Sequence, residues 1–183
     1  METLTFKEFP MSLKNTSKLL SITIATMLMS ACHNGAMVEN MTVGAEPGAD
    51  FGKFTNGIRL TDAENATRWD SRVSDKNFHE ALQNSLYSND LLNTQNPRYE
   101  LSANIVQLTP PTRDHDMHVT SAIQYVLHDL SDYDNYKLTI DKTIESNASA
   151  SKKDEPLANN RKRTVDERAI NANIDQFVNY LRR

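Results

Sequence analysis

The sequence predicts an α+β fold, an antiparallel meander of three strands, or four, with two helices packed on one face, in the order α-β-β-β-α. Two amphipathic helical stripes, one over 75–92 and one near the C-terminus, predict the helices. Between them, apolar and polar residues alternate with a period of two, which is typical of half-buried strands. A chain of 183 residues holds one modest domain, which we expect over 58–183.

The first predicted helix, over 75–92, follows Ser74, a residue type that commonly caps helices. Asp75 stands in its first turn, where a carboxylate interacts favourably with the helix dipole. Its large apolar residues recur mostly at intervals of four and form one stripe: Phe78, Leu82, Leu86, Leu91 and Leu92. We therefore expect one face of this helix to be buried.

Three strands are predicted after this helix, and short polar turns favour antiparallel pairing between them. In the first strand the apolar residues alternate up to Ile105, and the change of phase at Val106 indicates a bulge. The expected inward residues of the three strands are Tyr99, Leu101, Ala103 and Ile105, then Met117, Val119, Ile123, Tyr125 and Leu127, then Tyr136, Leu138, Ile140, Ile144 and Ala148. The opposite face of the sheet is predicted to meet water.

The second helix is predicted to begin at Thr164, because Thr164 and Glu167 match the capping-box pattern. A charged stretch over 152–163 precedes it. Its apolar stripe consists of Ile170, Ile174, Phe177, Val178 and Leu181. Both helices can then cover the same apolar face of the sheet.

Glycine and charge exclude several kinds of function. All five glycines lie at or before residue 57, so the expected domain has no phosphate-binding glycine loop and no G-x-S-x-G nucleophile turn. Beyond residue 31 the chain has 17 basic and 22 acidic residues, a balance that excludes a general nucleic-acid binder. We predict no catalytic residues and no dissociable cofactor, and a binding role is favoured over an enzymatic one.

The first 31 residues predict a cleavable signal peptide. A basic segment precedes an apolar run over 19–29, which is shorter than the roughly 20 residues that span a bilayer. The signal is complete from Met11, which we infer to be the start. Ser30-Ala31-Cys32 resembles the lipobox of bacterial lipoproteins. That resemblance implies cleavage before Cys32 and covalent lipid on the new N-terminal cysteine, and the alternative is an incidental cysteine in an uncleaved anchor.

The segment that starts at Cys32 predicts a lipidated flexible tether over 32–57, because it contains every glycine and few large apolar residues. Enterobacterial lipoproteins that stay in the inner membrane commonly have Asp directly after the lipidated cysteine, whereas His33 stands there in this chain. By this resemblance we expect a lipid-anchored protein at the periplasmic face of the outer membrane.

A run of residues from Trp69 reads W-x-S-x-V-S-D-x-x-F-x-x-A-L-x-x-S-L, and Y-x-L-x-A-x-I-x-x-L follows from Tyr99 and D-M-x-V-T from Asp116. With A-x-x-A-N-I-x-x-F from Ala169, these segments resemble a group of small proteobacterial lipoproteins without an established activity. This resemblance implies no catalytic residues. More distantly, a helix, three strands and a helix behind a lipid anchor resemble the lipopolysaccharide-assembly lipoprotein and the auxiliary lipoproteins of envelope lipid transporters, which implies a partner-binding role.

Three features are candidates for binding. His115, Asp116 and His118 could hold a metal together with His128, and the alternative is a solvated turn. Trp69 either closes the core or marks an exposed docking spot. A basic group could meet the phosphates of lipids or lipopolysaccharide, or form a solvated loop: Lys152, Lys153, Arg161, Lys162 and Arg163.

These patterns predict a lipid-anchored envelope protein that binds another envelope protein or a lipid, as an auxiliary component of outer-membrane assembly or lipid transport. The alternative is a periplasmic enzyme or metal-binding protein centred on His115, Asp116 and His118.

Overall fold

Among the described residues, four strands form one mixed sheet with helices on one face in the computed structural model. The structure describes residues 35–66, 71–109, 116–131, 136–153 and 155–182. The chain divides into two units, Met1–His33 and Asn34–Arg183, and all described residues belong to the second. The helices there are α1 (Val38–Met41), α2 (Asp75–Ser88) and α3 (Ala158–Leu181), and the strands are β1 (Ile58–Asn65), β2 (Tyr99–Leu108), β3 (Asp116–Asp129) and β4 (Lys137–Ser151).

The strands lie in the order β1-β2-β3-β4, with β1 parallel to β2 and the later neighbours antiparallel. The α+β class is confirmed, but the predicted order α-β-β-β-α is wrong in detail, because β1 precedes α2 and makes the sheet mixed. The parallel pairing follows from α2, which lies in the crossover from the end of β1 to the start of β2. Strand β1 is hard to predict because it has few large apolar residues and its register shifts between Leu60 and Asp62.

Helix α2 begins where the sequence predicts and ends earlier. The Ser74 side chain accepts a hydrogen bond from the backbone N–H of Asn77, which confirms its role as the N-cap. The helix stops at Ser88 because Asp90 adopts a left-handed backbone conformation, with φ of 54°. Leu91 is nevertheless fully buried, so the end of the predicted apolar stripe still contributes to the core.

The alternation predicted for β2 and β3 is confirmed, since every residue predicted to face inward on these two strands is buried. The register between the two strands shifts between Ile105 and Gln107, which confirms the predicted bulge. After the bulge, Val106 is exposed and Leu108 is half-buried.

The prediction for β4 is wrong at its first residues, where Tyr136 and Leu138 are exposed rather than buried. The register between β3 and β4 shifts after Leu127, which leaves Thr139 without a partner and pairs Leu138 with His128. This bulge reverses the alternation, so that Leu138 shares the open face of the sheet with His128. Further along the strand, Ile140 and Ile144 are buried as predicted, and Ala148 is half-buried.

Helix α3 begins at Ala158, six residues before the predicted capping box. Glu167 is not at the N-terminus of the helix but buried within it, and its carboxylate accepts hydrogen bonds from Met37 N–H at 2.7 Å and Asn40 Nδ2 at 2.8 Å. The capping box is therefore a wrong assignment for Thr164 and Glu167. The predicted apolar stripe of α3 is buried along its whole length.

Residues 35–57 pack on the helices and the sheet, which corrects the predicted flexible tether in its described part. The N–H of Ala36 donates to the carbonyl of Arg72 at 2.8 Å, and α1 lies against both α2 and α3. The apolar residues of the segment follow no regular period, because they fill separate gaps in the main core: Ala36, Met41, Phe51 and Phe54. The folded unit therefore begins well before residue 58.

A fragment over 58–183 should fail to fold cooperatively, because it lacks the buried side chains of Met41, Phe51 and Phe54. Losing one such side chain costs about 2–5 kcal/mol, and a whole domain is stable by about 5–15 kcal/mol. Urea titration followed by circular dichroism compares this fragment with a matched fragment over 35–183. An equal unfolding midpoint for the two fragments would show that residues 35–57 are dispensable.

A buried polar network connects α3 to β3 and β4. The Asn173 side chain accepts a hydrogen bond from Tyr125 Oη at 3.1 Å and donates to the carbonyl of Ile144 at 2.7 Å. Beside it, the hydroxyls of Ser121 and Ser146 lie 2.8 Å apart, and Ser146 Oγ donates to the carbonyl of Ala169. The buried polar groups at this helix–sheet contact are thereby paired, which fixes the position of α3 along the strands.

Tyr125 should make the fold sensitive to high pH, because burial raises the pKa of its phenol well above the ordinary value of 10.0. A pKa that is higher in the folded state stabilises the protein below the unfolded pKa, and that contribution is lost as pH rises above about 10. Tyr125→Phe should reduce this alkaline loss of stability, while costing about 1–3 kcal/mol at neutral pH for the lost bond to Asn173.

Urea titrations at a series of pH values, with Tyr87→Phe on an exposed side chain as the matched control, measure this effect. Burial also raises the pKa of Tyr99, so part of the alkaline dependence should remain in Tyr125→Phe. An alkaline loss of stability that is the same in Tyr125→Phe and in the wild type contradicts the prediction.

Candidate binding surface along the edge strand

Strand β4 is one edge of the sheet, and in the described part of the chain no strand pairs with its outer side. It is 15 residues long, and α3 packs against its inner face. An edge strand presents unpaired backbone N–H and C=O groups, which can pair with a strand of another chain. We call the outer edge of β4 and the groove beside it the edge surface.

A groove of about 320 Å³ runs between β4 and the last turns of α3. The Nζ atom of Lys142 lies 4.4 Å from the ring centroid of Tyr180, so a cation–π contact joins the strand to the helix at this point. Buried Ile144 and half-buried Tyr180 provide apolar surface, and amide groups provide hydrogen-bond donors and acceptors. The residues that line the groove are Lys142, Thr143, Ile144, Glu145, Gln176, Asn179 and Tyr180.

The start of β4 adds an exposed apolar patch to the edge surface. Tyr136, directly before β4, is 62% exposed, and Leu138, the second residue of the strand, is 51% exposed. In the strand register Lys137 lies opposite Asp129. The pKa of Asp129 is lowered chiefly because the backbone N–H of Ser131 donates to its carboxylate. Exposed apolar side chains beside charged groups are typical of surfaces that bind other proteins.

Exposed charges of both signs follow one another along β4, with Lys137, Asp141 and Glu145 in turn. Charges on an edge strand oppose indiscriminate pairing with other strands. Asp141 is held in place by Gln124 Nε2, which donates to its carboxylate at 2.8 Å. The edge surface therefore suits a partner with a matching charge pattern rather than any extended chain.

The open face of the sheet is polar and its side chains pair with one another. Arg59 and Glu100 form an ion pair at 2.6 Å, and Thr120 donates to Asn147 at 2.6 Å. A depression of about 290 Å³ on this face is lined by Asp62, Glu64, Ser102, Ala103, Asn104, Gln124 and Val126. It contains carboxylates and amides but no thiol, and none of its residues is a histidine.

The proposed metal ligands are only partly brought together. Asp116 and His118 are exposed and share one face of β3, whereas His115 lies outside the described residues. His128 is ten residues further along the same strand than His118, a separation of about 33 Å at 3.3 Å per residue. The suggestion that His128 completes the set is therefore wrong. The part of the chain that the structure describes contains no group of three metal-ligating side chains.

The basic group of the sequence is split by the fold. Arg161 is buried, and its Nη1 donates to the carbonyls of Glu155 and Pro156 at 2.7 Å each, so it is a structural residue and not an exposed binding group. Arg163 Nε lies 3.6 Å from the carboxylate of Glu167. The side chains that remain most accessible are Lys152 and Lys153, which are exposed, and Lys162, which is half-buried.

Cys32 and Trp69 lie outside the described residues, so their roles stay predictions. Within the described ranges, no helix is long and apolar enough to span a membrane.

Sequence reasoning missed the groove, although a signal for it exists. Lys142 interrupts the apolar alternation of β4 between Ile140 and Ile144, on the face where the helices pack. A charged residue at an inward position of an edge strand indicates that the covering helix leaves that position open to water. The groove occurs at this interruption.

Solved structures share this fold at low sequence identity. No protein-family model and no curated protein matches the chain. A candidate lipoprotein of Caulobacter crescentus CB15 is 14% identical with a TM-score of 0.51, over 70% of this chain and 90% of that one. A Xanthomonas campestris protein of the family DUF330 is 9% identical with a TM-score of 0.57, over 75% of this chain and 89% of that one. At these identities the likeness establishes the fold alone.

Proposed function

We propose that this protein is a lipid-anchored component of the cell envelope, held at the periplasmic face of the outer membrane, and that its domain binds an extended segment of another envelope protein along β4. The observation that carries the binding role is the edge surface, a 15-residue edge strand with a groove between it and α3. The likeness of the whole fold to that of a candidate lipoprotein supports the proposed lipid anchor. A role as an auxiliary component of outer-membrane assembly or lipid transport is consistent with such a binder.

The anchor is proposed from the leader and the Ser30-Ala31-Cys32 sequence. A single acyl chain binds a bilayer only marginally, whereas two or more chains bind it stably. Three chains on Cys32, as the lipobox resemblance implies, would hold the domain at the membrane permanently.

Cys32→Ser should abolish lipidation, because the hydroxyl of serine cannot form the thioether that carries the diacylglycerol. We expect metabolic labelling with a radioactive fatty acid to mark the wild type but not Cys32→Ser. Immunoblots should also show that Cys32→Ser accumulates as the uncleaved precursor. Normal processing of Cys32→Ser together with an unlabelled wild type would refute the lipid anchor.

Binding along β4 follows the general mode in which an extended peptide adds a strand to a sheet edge. Backbone hydrogen bonds to β4 would provide affinity that does not depend on the partner's sequence. Alternate side chains of the added strand would face the groove beside Tyr180 and Ile144, or the open face beside Asp141 and Glu145. On the groove side, the partner's apolar side chains, or side chains that hydrogen-bond to amides, would give specificity. On the open face, specificity would come from the partner's charged side chains.

Site-specific photocrosslinking in cells tests this mode. Two variants carry a photoreactive residue, one at Asp141 and the other at Glu145. Each should form an adduct with the partner, since both positions are exposed on β4. Because strands pair residue by residue, the partner residues crosslinked from these positions should themselves be four apart. Mass spectrometry of the crosslinked peptides identifies those residues.

A photoreactive residue at Glu80, exposed on α2 and away from the sheet edge, is the matched control and should give no adduct. Leu138→Lys should lower the yield from Asp141, because it removes the exposed apolar contact on the same strand. Adducts from Glu80 but not from β4, or partner residues without the four-residue step, would exclude pairing along this edge.

A further inference from the structure

The folded unit begins almost directly after the cysteine that we propose as the lipid anchor. Ala36 is 1% exposed, and Met37 N–H is held by the buried carboxylate of Glu167 at 2.7 Å. Only His33 and Asn34 separate Cys32 from Gly35. Three Cα steps span at most about 11 Å. A lipid on Cys32 would therefore hold the domain close to the bilayer, and not at the end of a long tether.

Backbone and side-chain bonds show which end of the domain contains Gly35. The Asn77 side chain donates to the carbonyl of Ala36 at 2.7 Å, which places the N-terminus of α2 beside this residue. The carboxylate of Asp75 accepts the N–H of Asn65, so β1 ends there as well. We call this end of the domain the anchor end.

The sheet register shows that β3 and β4 extend past the anchor end of β1. Asn65 is level with Ile105, which is level with Ile123 and, through it, with Ile144, whereas β4 continues in the same direction to Ser151. The turn after β4, which contains Lys152 and Lys153, therefore lies in the direction of the anchor end and beyond the end of β1. The start of α3 lies in the same direction, beyond Glu167. We include both in the anchor end.

The exposed cations of the anchor end include three lysines and Arg168, whose Nη1 donates to the carbonyl of Ser149. Lys152 and Lys153 are adjacent and exposed, and Lys76 is exposed in the first turn of α2. Several carboxylates at this end are engaged within the domain: that of Asp75 by the N–H of Asn65, and that of Glu167 by Met37 and Asn40. Exposed Glu39, Glu64 and Asp116 oppose the lysines in part. A basic residue near an anionic membrane surface adds to the binding energy.

The geometry points to the anchor end as a membrane-contact surface, with Lys152 and Lys153 against the phosphates of anionic phospholipid headgroups. This inference rests on the proposed lipid anchor and goes beyond it, because it assigns the orientation of the domain. The short link from Cys32 to Gly35 brings this end to the bilayer, and the two lysines give it a charge that matches the headgroups. The other end, with Lys137 and Asp129, then faces away from the membrane.

Spin labels on the full lipidated protein in vesicles test this orientation. Cys32 is the only cysteine and is consumed by lipid on our proposal, so Ala158→Cys, at the exposed start of α3, and Leu138→Cys each provide one labelling site and leave both lysines in place. The vesicles contain phosphatidylglycerol and a nickel-chelating lipid, and power saturation measures collisions of each label with headgroup nickel. We expect collisions several-fold more frequent for Ala158→Cys than for Leu138→Cys. Equal collisions at the two sites, or more at Leu138→Cys, would overturn the orientation.

Two further measurements test whether the orientation depends on the short link and on the charge, and a third tests the lipid anchor. A flexible glycine-serine insert of ten residues between Asn34 and Gly35 should remove the contrast between the two labels, and replacing phosphatidylglycerol with phosphatidylcholine should weaken it. A contrast unchanged by both alterations would overturn the membrane contact. Sedimentation with vesicles is measured in parallel, and protein that stays in the supernatant would refute the lipid anchor and not the orientation.

Discussion

The position of α3 on the sheet is the constraint on which most of the structure depends, and the buried amide of Asn173 fixes it. One side chain there joins Tyr125 on β3 to the backbone of β4 at Ile144. The ring of Tyr125 also stacks on Phe177 of α3, with 3.9 Å between ring centroids. The position of α3 then determines both the shape of the groove beside β4 and the location of Glu167. Glu167 in turn holds the segment over 35–57 against the core through Met37 and Asn40. A single helix–sheet contact thus organises both the segment over 35–57 and the last helix.

The predictable part of the fold is the part with a strong local period. The stripe around Phe78 and Leu82 and the alternation through Tyr125 identify α2, β2 and β3, because each element buries one regular face. Residues 35–57 and β1 could not be found this way, since Met41 and Phe54 fill isolated gaps whose shape exists only after folding. The same applies to Glu167. Its spacing from Thr164 matches a capping box, but its hydrogen-bond partners are about 130 residues away in sequence.

The candidate site was less predictable than the fold, because charge in a sequence does not reveal exposure. Arg161 and Lys153 belong to one basic stretch, yet the first is buried against backbone carbonyls and the second meets solvent. The groove depends on how far α3 overlaps β4, which periodicity does not determine. A bulge at Thr139 likewise turns Leu138 outward, and only the strand register reveals it.

Strand β4 runs from the anchor end to the opposite end of the domain with one bulge at Thr139, and it is about 45 Å long at 3.3 Å per residue. Hydrogen bonds between antiparallel strands lie perpendicular to the strand axis. A pull along the axis of a segment paired with β4 therefore loads all of these bonds together, in shear, and does not break them one at a time. If the anchor end rests on the membrane, this axis points away from the bilayer, and the edge becomes a mechanically strong attachment for a partner that is pulled in that direction.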